Sequence, residues 1–427
     1  MKEIKIKGTG EVIYEHICKN GLTIYIWQYN LSEEANLTLT VKYGSVHTKF
    51  KSNGKDIMVP NGMAHFLEHI KFNEKKDSTA HDFFYKIGSY SNAYTTYDHT
   101  SYEVVCNNNL KENIEHLLYF VLNPYFTKGL IQKEKGIIVE ESKMTLNNPY
   151  NLGYKALMNG LYKANNKRHL ITGEKDDIKS ITIDDVVNVF DNFYHPKNMF
   201  LTVTGNVNPY EVVKIVDEYF ENEDTPMYLN PEIILPKEPD NVAKGSQEIA
   251  TTVTKEKLLL SIKIPKKQYK NISDLNLRIL FNIIMDINFG TTSELNEHLI
   301  QNALVDDIYY MVTVEENHIV LTFESSTSYP KQIVKIIKEK INSLEFDEES
   351  FNRKNKTLIA ASILGYEDAT DVNNDIRADI IKYGKIINNI QDVFKGLKVL
   401  DGENIINKLK KYEISYVILK PNASKKS

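Results

Sequence analysis

The chain has 427 residues, of which 42% are hydrophobic and 26% are charged, and its formal net charge is −5. This length favours two domains with ordinary cores, and the composition excludes disordered and collagen-like chains. A weak negative charge provides no general attraction to nucleic acid or to anionic membranes, so we expect partners of neither kind.

The two cysteines, Cys18 and Cys106, are far apart and neither belongs to a CxxC motif. Neither a thiolate zinc site nor a disulfide framework is implied, and a reducing compartment fits this usage. The first residues contain no apolar signal segment, and no later stretch approaches the ~20 apolar residues of a membrane span. We therefore expect a cytoplasmic protein without a membrane anchor.

The first half shows strand and helix patterns in clusters. β-branched and aromatic runs predict strands, and breaker-free periodic stretches predict helices. In chain order these are strands at 22–29 and 37–43, helices at 62–72 and 80–87, strands at 92–97 and 101–106, and a helix at 110–122. Because strict βαβ alternation is absent, we predict an α+β fold. Each domain has a mostly antiparallel sheet with helices on one face.

A strand at 200–207 and an amphipathic helix at 209–222 close the first half. Four prolines then fall within residues 225–245 among polar residues, which is typical of a linker. We predict an N-terminal domain at 1–228, a linker at 229–245 and a C-terminal domain at 246–427.

The second half weakly repeats the first. Residues 122–142 align with 344–362 at an offset of 220, which places Phe126 on Phe346. A strand and a helix precede each segment, at 101–106 and 110–122 in the first half and at 318–324 and 329–343 in the second. We therefore predict two related domains.

The segment HFLEH at 65–69 has the ligand order of an inverted zinc motif. On a helix, His65 and His69 project from one face about 6 Å apart, which suits one zinc ion. Glu68 would lie beside the metal, where it can take a proton from water. A catalytic zinc needs a third protein ligand. Glu141 is the candidate, and Glu140 remains the alternative.

Glu134 lies seven residues before Glu141, two helical turns along the same face. A carboxylate there could orient a ligand or the substrate.

These motifs resemble the pitrilysin/insulinase zinc metallopeptidases, which include the mitochondrial processing peptidases and short bacterial members of the YmfH kind. The resemblance extends to KNGLTIYI (19–26), YGS (43–45), SNAYT (91–95), NPYF (123–126) and FYHPKNMFLTVTGNV (193–207).

The resemblance implies a metallohydrolase-like fold of α/β roll domains and metalloendopeptidase activity. It implies that the domain at 1–228 is the catalytic zinc-binding peptidase domain and that the domain at 246–427 is an inactive peptidase-like domain. It implies that His65, His69 and Glu141 bind one Zn²⁺ per chain, with Glu68 and Glu134 catalytic. It also implies that Asn92 and Ala93 lie on the strand that binds an extended peptide substrate.

The sequence departs from the family where the second domain often carries a substrate-binding Arg and Tyr. Glu294 stands at the position of the Arg, and Asp306 stands at the position of the Tyr. Unless Tyr309 or Tyr310 substitutes for the missing Tyr, this chain alone lacks part of the substrate-binding set. A carboxylate cannot donate the hydrogen bonds of an Arg. We therefore expect a zinc-free paralogous subunit in a heterodimer, or a homodimer.

The repeat positions of Glu134 and Glu141 are Lys354 and Ala361, so we expect no second copy of this metal site. The other histidines, His16 among them, are scattered and receive no metal role.

Three functions remain open at this point. The first is an endopeptidase that acts on peptides or unfolded segments, with peptide maturation together with the zinc-free paralogous subunit as one such role. The second is a non-hydrolytic subunit that uses the same fold for peptide binding or assembly. The third is a zinc hydrolase of small molecules, which would need a tight pocket instead of a strand-addition groove.

Overall fold

The structure is a computed structural model that describes residues 1–221, 223 and 225–422. Residue 222, the last of the predicted helix 209–222, lies outside the described residues, as do residue 224 and the end of the predicted second domain, 423–427. The described chain forms two compact units. Unit 1 comprises Met1–Ser142, Leu170–Leu235 and Ala361–Gln391, and unit 2 comprises Lys143–His169, Pro236–Ala360 and the chain from Asp392 on.

The elements up to residue 235 are, in chain order, β1 (Lys2–Lys5), β2 (Val12–Ile17), β3 (Thr23–Gln28), β4 (Ala35–Val41), β5 (Lys49–Ser52), β6 (Lys55–Met58), α1 (Met63–Lys71), β7 (Asn73–Lys75), β8 (Ser78–Thr79), α2 (Ala80–Lys86), β9 (Tyr90–Thr95), β10 (Thr100–Cys106), α3 (Leu110–Leu122), α4 (Lys128–Asn147), α5 (Pro149–Leu161), α6 (Lys175–Ser180), α7 (Ile183–Phe193), β11 (Met199–Gly205), α8 (Pro209–Glu221) and β12 (Glu232–Ile233).

The later elements are β13 (Ser246–Thr251), β14 (Lys257–Pro265), α9 (Asp274–Phe289), α10 (Glu294–Gln301), β15 (Asp307–Val314), β16 (His318–Ser326), α11 (Pro330–Asn342), α12 (Glu348–Leu364), α13 (Ala369–Tyr383), α14 (Ile390–Gly396), α15 (Val399–Lys408) and β17 (Glu413–Pro421). Each strand and helix predicted from the sequence is present, and each of its ends that the structure describes lies within two residues of the predicted end.

Unit 1 is built on a seven-stranded sheet of order β1-β2-β3-β11-β4-β10-β9. All its pairs are antiparallel except β3 with β11. Alternate residues along a strand point to opposite faces, and here both faces are apolar. On one face Ile24, Leu39 and Leu201 join the core formed with α1, α3, α7 and α8. This face positions the candidate site.

The opposite face of the same sheet is covered by α13, whose residues follow the rest of unit 1 by more than 120 positions in the chain. Trp27 and Phe200 pack there with Ile376. The buried Thr204 hydroxyl donates a hydrogen bond to the carbonyl oxygen of Ala369 at 2.7 Å. The sequence patterns did not predict a helix on this second face.

Unit 2 contains a five-stranded sheet of order β13-β17-β14-β16-β15, in which only β13 and β17 are parallel. On one face α5 packs through Leu157 and Leu161 against Leu259 and Leu419. On the other face α9 brings Phe289 into an edge-to-face contact with Phe323, with 4.8 Å between ring centroids.

Five of the seven strands in the sheet of unit 1 have the topology of the five-stranded sheet of unit 2. Strands β3-β11-β4-β10-β9 of unit 1 correspond to β13-β17-β14-β16-β15 of unit 2, including the single parallel pair. Helix α11 begins 220 residues after α3, and α12 begins 220 residues after α4. The predicted α+β class and the predicted pair of related domains are confirmed.

The segment 229–245, predicted as a linker, is shared between the units. Strand β12 pairs with β5 in unit 1, and residues from Pro236 on belong to unit 2. Glu238 is buried there, and its carboxylate accepts hydrogen bonds from the backbone amides of Lys163, Ala164 and Asn165. It also accepts a 2.6 Å bond from the fully buried Nζ of Lys263. This segment is therefore anchored by a buried ion pair.

Among the described residues, no helix has both the length and the apolar character needed to cross a membrane.

Candidate metal centre

A close approach between two glycines fixes the start of α1. Gly62 has φ +85° and Gly173 has φ +80°, and a Cβ on Gly62 would lie 2.6 Å from the carbonyl oxygen of Thr172. Only glycine accepts both this conformation and this contact without strain. From there α1 buries Phe66, Leu67 and Ile70 in the core, which sets the direction of its other side chains.

His65 and His69 project from α1 toward the carboxylate of Glu141 on α4. Nε2 of His65 lies 3.5 Å from Oε1 of Glu141, and Nε2 of His69 lies 3.3 Å from Oε2. The two imidazole centroids are 4.5 Å apart. Glu140 is exposed, whereas the carboxylate of Glu141 lies close to both rings, so Glu141 remains the candidate third ligand.

The spacing of these donors suits a tetrahedral zinc ion. Zinc bound at 2.0–2.1 Å by nitrogen and oxygen places neighbouring ligand atoms about 3.4 Å apart. The two His to Glu141 distances, 3.5 and 3.3 Å, match this value. The donor set therefore fits the implied metal.

Charge is concentrated at this point. Hydrogen bonding from His65 and then from His69 lowers the pKa of Glu141 well below its usual range. Burial lowers the pKa of His69, but the carboxylates of Glu134 and Glu141 outweigh burial and raise it to about 9. Glu134, with Oε2 3.8 Å from Nδ1 of His69, is buried on α4. Because a ligating imidazole must be neutral, a metal entering this site displaces a proton.

Glu68 lies next to this cluster and is only 8% exposed. One ligand atom from each of His65, Glu68 and His69 falls within 4.8 Å of the others. The hydroxyl of Thr95 donates a 2.6 Å hydrogen bond to Oε2 of Glu68. The position of Thr95 was not predicted from the sequence, although its place two residues after Ala93 puts both on one face of a strand.

Asn92 and Ala93 lie on β9, at the edge of the seven-stranded sheet. On its inner side β9 pairs with β10, with Ala93 opposite Tyr102. Among the described residues no strand pairs with its outer side, and Asn92 is exposed. An edge strand of this kind offers unpaired backbone groups to an extended peptide.

The corresponding region of unit 2 has different chemistry. Lys354 occupies the repeat position of Glu134, and its Nζ lies 2.8 Å from Oδ2 of Asp286 and 3.1 Å from the hydroxyl of Thr292. Lys354, Asp286 and Tyr310 line a cavity of about 300 Å³. A lysine ammonium has no acceptor for a metal ion.

The two positions that depart from the family pattern also lie in unit 2. Glu294 begins α10 after its N-cap Ser293, and Asp306 pairs with Lys255 at 2.6 Å. Both tyrosines offered as substitutes lie on the edge strand β15. Tyr309 is 62% exposed, while Tyr310 is half-buried.

Comparison with known proteins identifies the family of the chain. Family models match the chain as Insulinase (Peptidase family M16) over residues 26–174 and as Peptidase M16 inactive domain over residues 180–358. A Bacillus subtilis (strain 168) protein named uncharacterized zinc protease YmfH is 33% identical over 316 residues, which is 72% of each chain. Mitochondrial-processing peptidase subunit beta of Caenorhabditis elegans is 29% identical over 164 residues, covering 38% of this chain and 36% of that protein.

Among solved structures, an M16-like protein from Alicyclobacillus acidocaldarius shares the fold with a TM-score of 0.89 at 21% identity. The match covers 96% of this chain and 99% of the other. The resemblance predicted from HFLEH and its surroundings is thus confirmed. The chain belongs to the insulinase family of peptidases, M16.

Proposed function

We propose that this chain is a zinc-dependent endopeptidase that hydrolyses peptides or unfolded segments. One observation carries the proposal: the Nε2 atoms of His65 and His69 meet the two oxygens of Glu141 at 3.5 and 3.3 Å, with Glu68 buried beside them. Family membership and relatives named zinc proteases support the same reaction class.

Each residue has a defined task in this proposal. His65, His69 and Glu141 hold one zinc ion, and Glu134 orients His69 through Nδ1. A zinc ion there would polarise the scissile carbonyl and acidify a water molecule. Glu68 accepts the proton from that water and delivers it to the leaving amine. Thr95 donates to Oε2 of Glu68 at 2.6 Å, which leaves Oε1 to exchange the proton.

The outer side of β9 binds the substrate backbone in this proposal. Asn92 and Ala93 lie at the middle of the strand, and Ala93 shares the face of Thr95, which contacts Glu68. A peptide added as a further antiparallel strand would then run past the proposed general base.

We further propose that a zinc-free paralogous subunit completes the substrate site in a heterodimer, with a homodimer as the alternative. Glu294 and Asp306 support this because neither can donate hydrogen bonds to a substrate carbonyl, and Asp306 is already paired with Lys255. One relative is itself named a subunit of a processing peptidase. Maturation of a particular peptide would suit such a pair. Cys18 and Cys106 are both free thiols, which supports a cytoplasmic setting.

The same two substitutions favour one competing function, a non-hydrolytic subunit that binds peptides. Cleavage of quenched fluorescent peptides by the zinc-loaded chain separates the two. Glu68→Gln is the matched variant, since it keeps the ligands and removes the base. We expect turnover by the wild type and loss of at least about a hundredfold in the variant, at equal zinc content.

Equal rates for both proteins would refute the role of Glu68. An inactive wild type that gains turnover when a zinc-free paralogue is added would support the heterodimer. An inactive wild type that still binds peptides, alone and with the paralogue, would favour the non-hydrolytic function. Zinc content of Glu141→Gln, compared with Glu140→Gln, tests the third ligand independently of activity.

A further inference from the structure

A second group of metal-binding side chains lies in unit 1, apart from the site just described. It is formed by His16 on β2, Cys18 just after this strand, and Asp217 on α8. His16 and Asp217 are 201 positions apart in the chain, so no sequence motif connects them. These three residues contribute nothing to the proposed peptidase reaction.

Their donor atoms converge. One ligand atom from each of the three residues lies within 4.8 Å of the others. Nε2 of His16 lies 3.1 and 3.3 Å from the two carboxylate oxygens of Asp217. A tetrahedral zinc ion bound by sulfur, nitrogen and oxygen holds neighbouring donors about 3.3–3.6 Å apart. The His16 to Asp217 spacing therefore already matches, and Cys18 is within reach of a small adjustment.

The backbone around Cys18 is well ordered by hydrogen bonds. Its amide donates to the carbonyl of Leu22, and its carbonyl accepts from the amide of Gly21, each at 2.9 Å. Gly21 adopts a φ of +94°, which closes this tight loop. The thiol is thus held on the α8 side of the sheet, and it belongs to the same core as Val212 and Val216 of that helix.

The surroundings of Cys18 argue against a nucleophilic thiol. Burial, together with the carboxylate of Asp217, raises the pKa of Cys18 to about 12. A reactive cysteine needs the opposite shift. A divalent ion would reverse this by binding the thiolate directly, and the thiol proton would leave to solvent.

Access from solvent is also present. The side chain of His16 is 19% exposed to solvent and that of Asp217 is 41% exposed, whereas Cys18 is buried. An ion could enter from the open side and keep a water molecule as its fourth ligand.

We propose that His16, Cys18 and Asp217 form a second divalent-metal site that takes Zn²⁺. The ion would join the end of β2 to α8, and it is additional to the single zinc ion of the proposed catalytic site. The set of one sulfur, one nitrogen and one oxygen is suited to zinc, because thiolate and imidazole both favour it over Mg²⁺ or Ca²⁺.

Cobalt(II) titration of the metal-free, reduced full chain tests this site, because only a thiolate ligand produces sulfur-to-cobalt charge-transfer absorption in the near ultraviolet. The candidate catalytic site contains no sulfur. We expect two equivalents of bound cobalt and a charge-transfer band for the wild type. Cys18→Ser should lose the band and one equivalent, while Cys106→Ser should keep both.

Asp217→Asn preserves the shape of the site and should weaken cobalt binding there at least about tenfold. Circular dichroism of each variant, matched to the wild type, separates loss of a ligand from loss of fold. A wild-type chain without the band would overturn the proposal and leave His16 and Asp217 as an ion pair alone. A band that persists in Cys18→Ser would overturn it equally.

Discussion

The hydrogen bond from Thr95 to Glu68 can be tested by removing only the hydroxyl. Thr95→Val keeps the shape of a β-branched side chain on β9 and deletes the donor of a 2.6 Å bond to Oε2. A hydrogen bond to a charged carboxylate contributes about 1.5–3 kcal/mol. If this energy orients Glu68 for proton transfer, kcat/KM should fall by about 10- to 150-fold.

The assay is hydrolysis of a quenched fluorescent peptide by zinc-loaded protein, or by the heterodimer if the chain needs its partner. Thr95→Ser is the control, because it keeps the donor and loses only a methyl group, and it should retain most of the activity. Zinc content should be unchanged in both variants, since Thr95 contacts none of the proposed ligands directly. A kcat/KM for Thr95→Val within about twofold of the wild type would refute the reasoning.

Two further predictions concern stability. Glu238→Gln should lower the free energy of unfolding by about 3–5 kcal/mol in denaturant titration, because it leaves the fully buried Lys263 without its anionic partner. The double variant Glu238→Gln with Lys263→Met should lose less, because it leaves no unpaired ammonium group and keeps an acceptor for the three backbone amides. An equal loss would contradict this explanation. Burial lowers the pKa of His47 to about 4, and its Nδ1 accepts a hydrogen bond from the Gly44 amide. As the pH falls, the His47 imidazole is protonated in the unfolded chain before it is protonated in the folded chain. The contribution of His47 to the free energy of unfolding is therefore fully present above pH 6.5 and is lost toward pH 4, by up to about 3 kcal/mol. His47→Asn keeps an acceptor without titrating, so its stability should depend less on pH, and an unchanged pH profile would argue against His47.

Local sequence signals located most of unit 1 because they act within one element. The helix at 110–122 and the strand at 101–106 follow from periodicity, and both appear in the structure with ends within a residue of the prediction. The placement of α13 could not be predicted in this way. It depends on contacts such as Thr204 with Ala369, which are 165 positions apart, and nothing in the helix's own pattern identifies the sheet it covers.

The candidate site divides along the same line. Helical spacing is sufficient to put His65 and His69 on one face, since four residues make about one turn. Glu141 lies on another helix, and its selection depended on family resemblance, because spacing alone left Glu140 open. Thr95 had a usable signal in strand alternation with Ala93. The group of His16, Cys18 and Asp217 had no such signal, because His16 and Asp217 lie 201 positions apart in two different segments of unit 1.

The ion pair of Lys354 and Asp286 determines what would be needed to engineer a second metal site in unit 2. The sheet of unit 2 has the order of five strands in unit 1, yet an ammonium group stands where unit 1 has Glu134, and Asp286 neutralises it at 2.8 Å. In unit 2 the Lys354 ammonium group therefore supplies the positive charge that a metal ion would supply in unit 1. Grafting histidines onto α9 alone would therefore not create a second hydrolytic centre. Lys354 must be replaced first, because its ammonium group occupies the Asp286 carboxylate and has no lone pair to offer a metal ion.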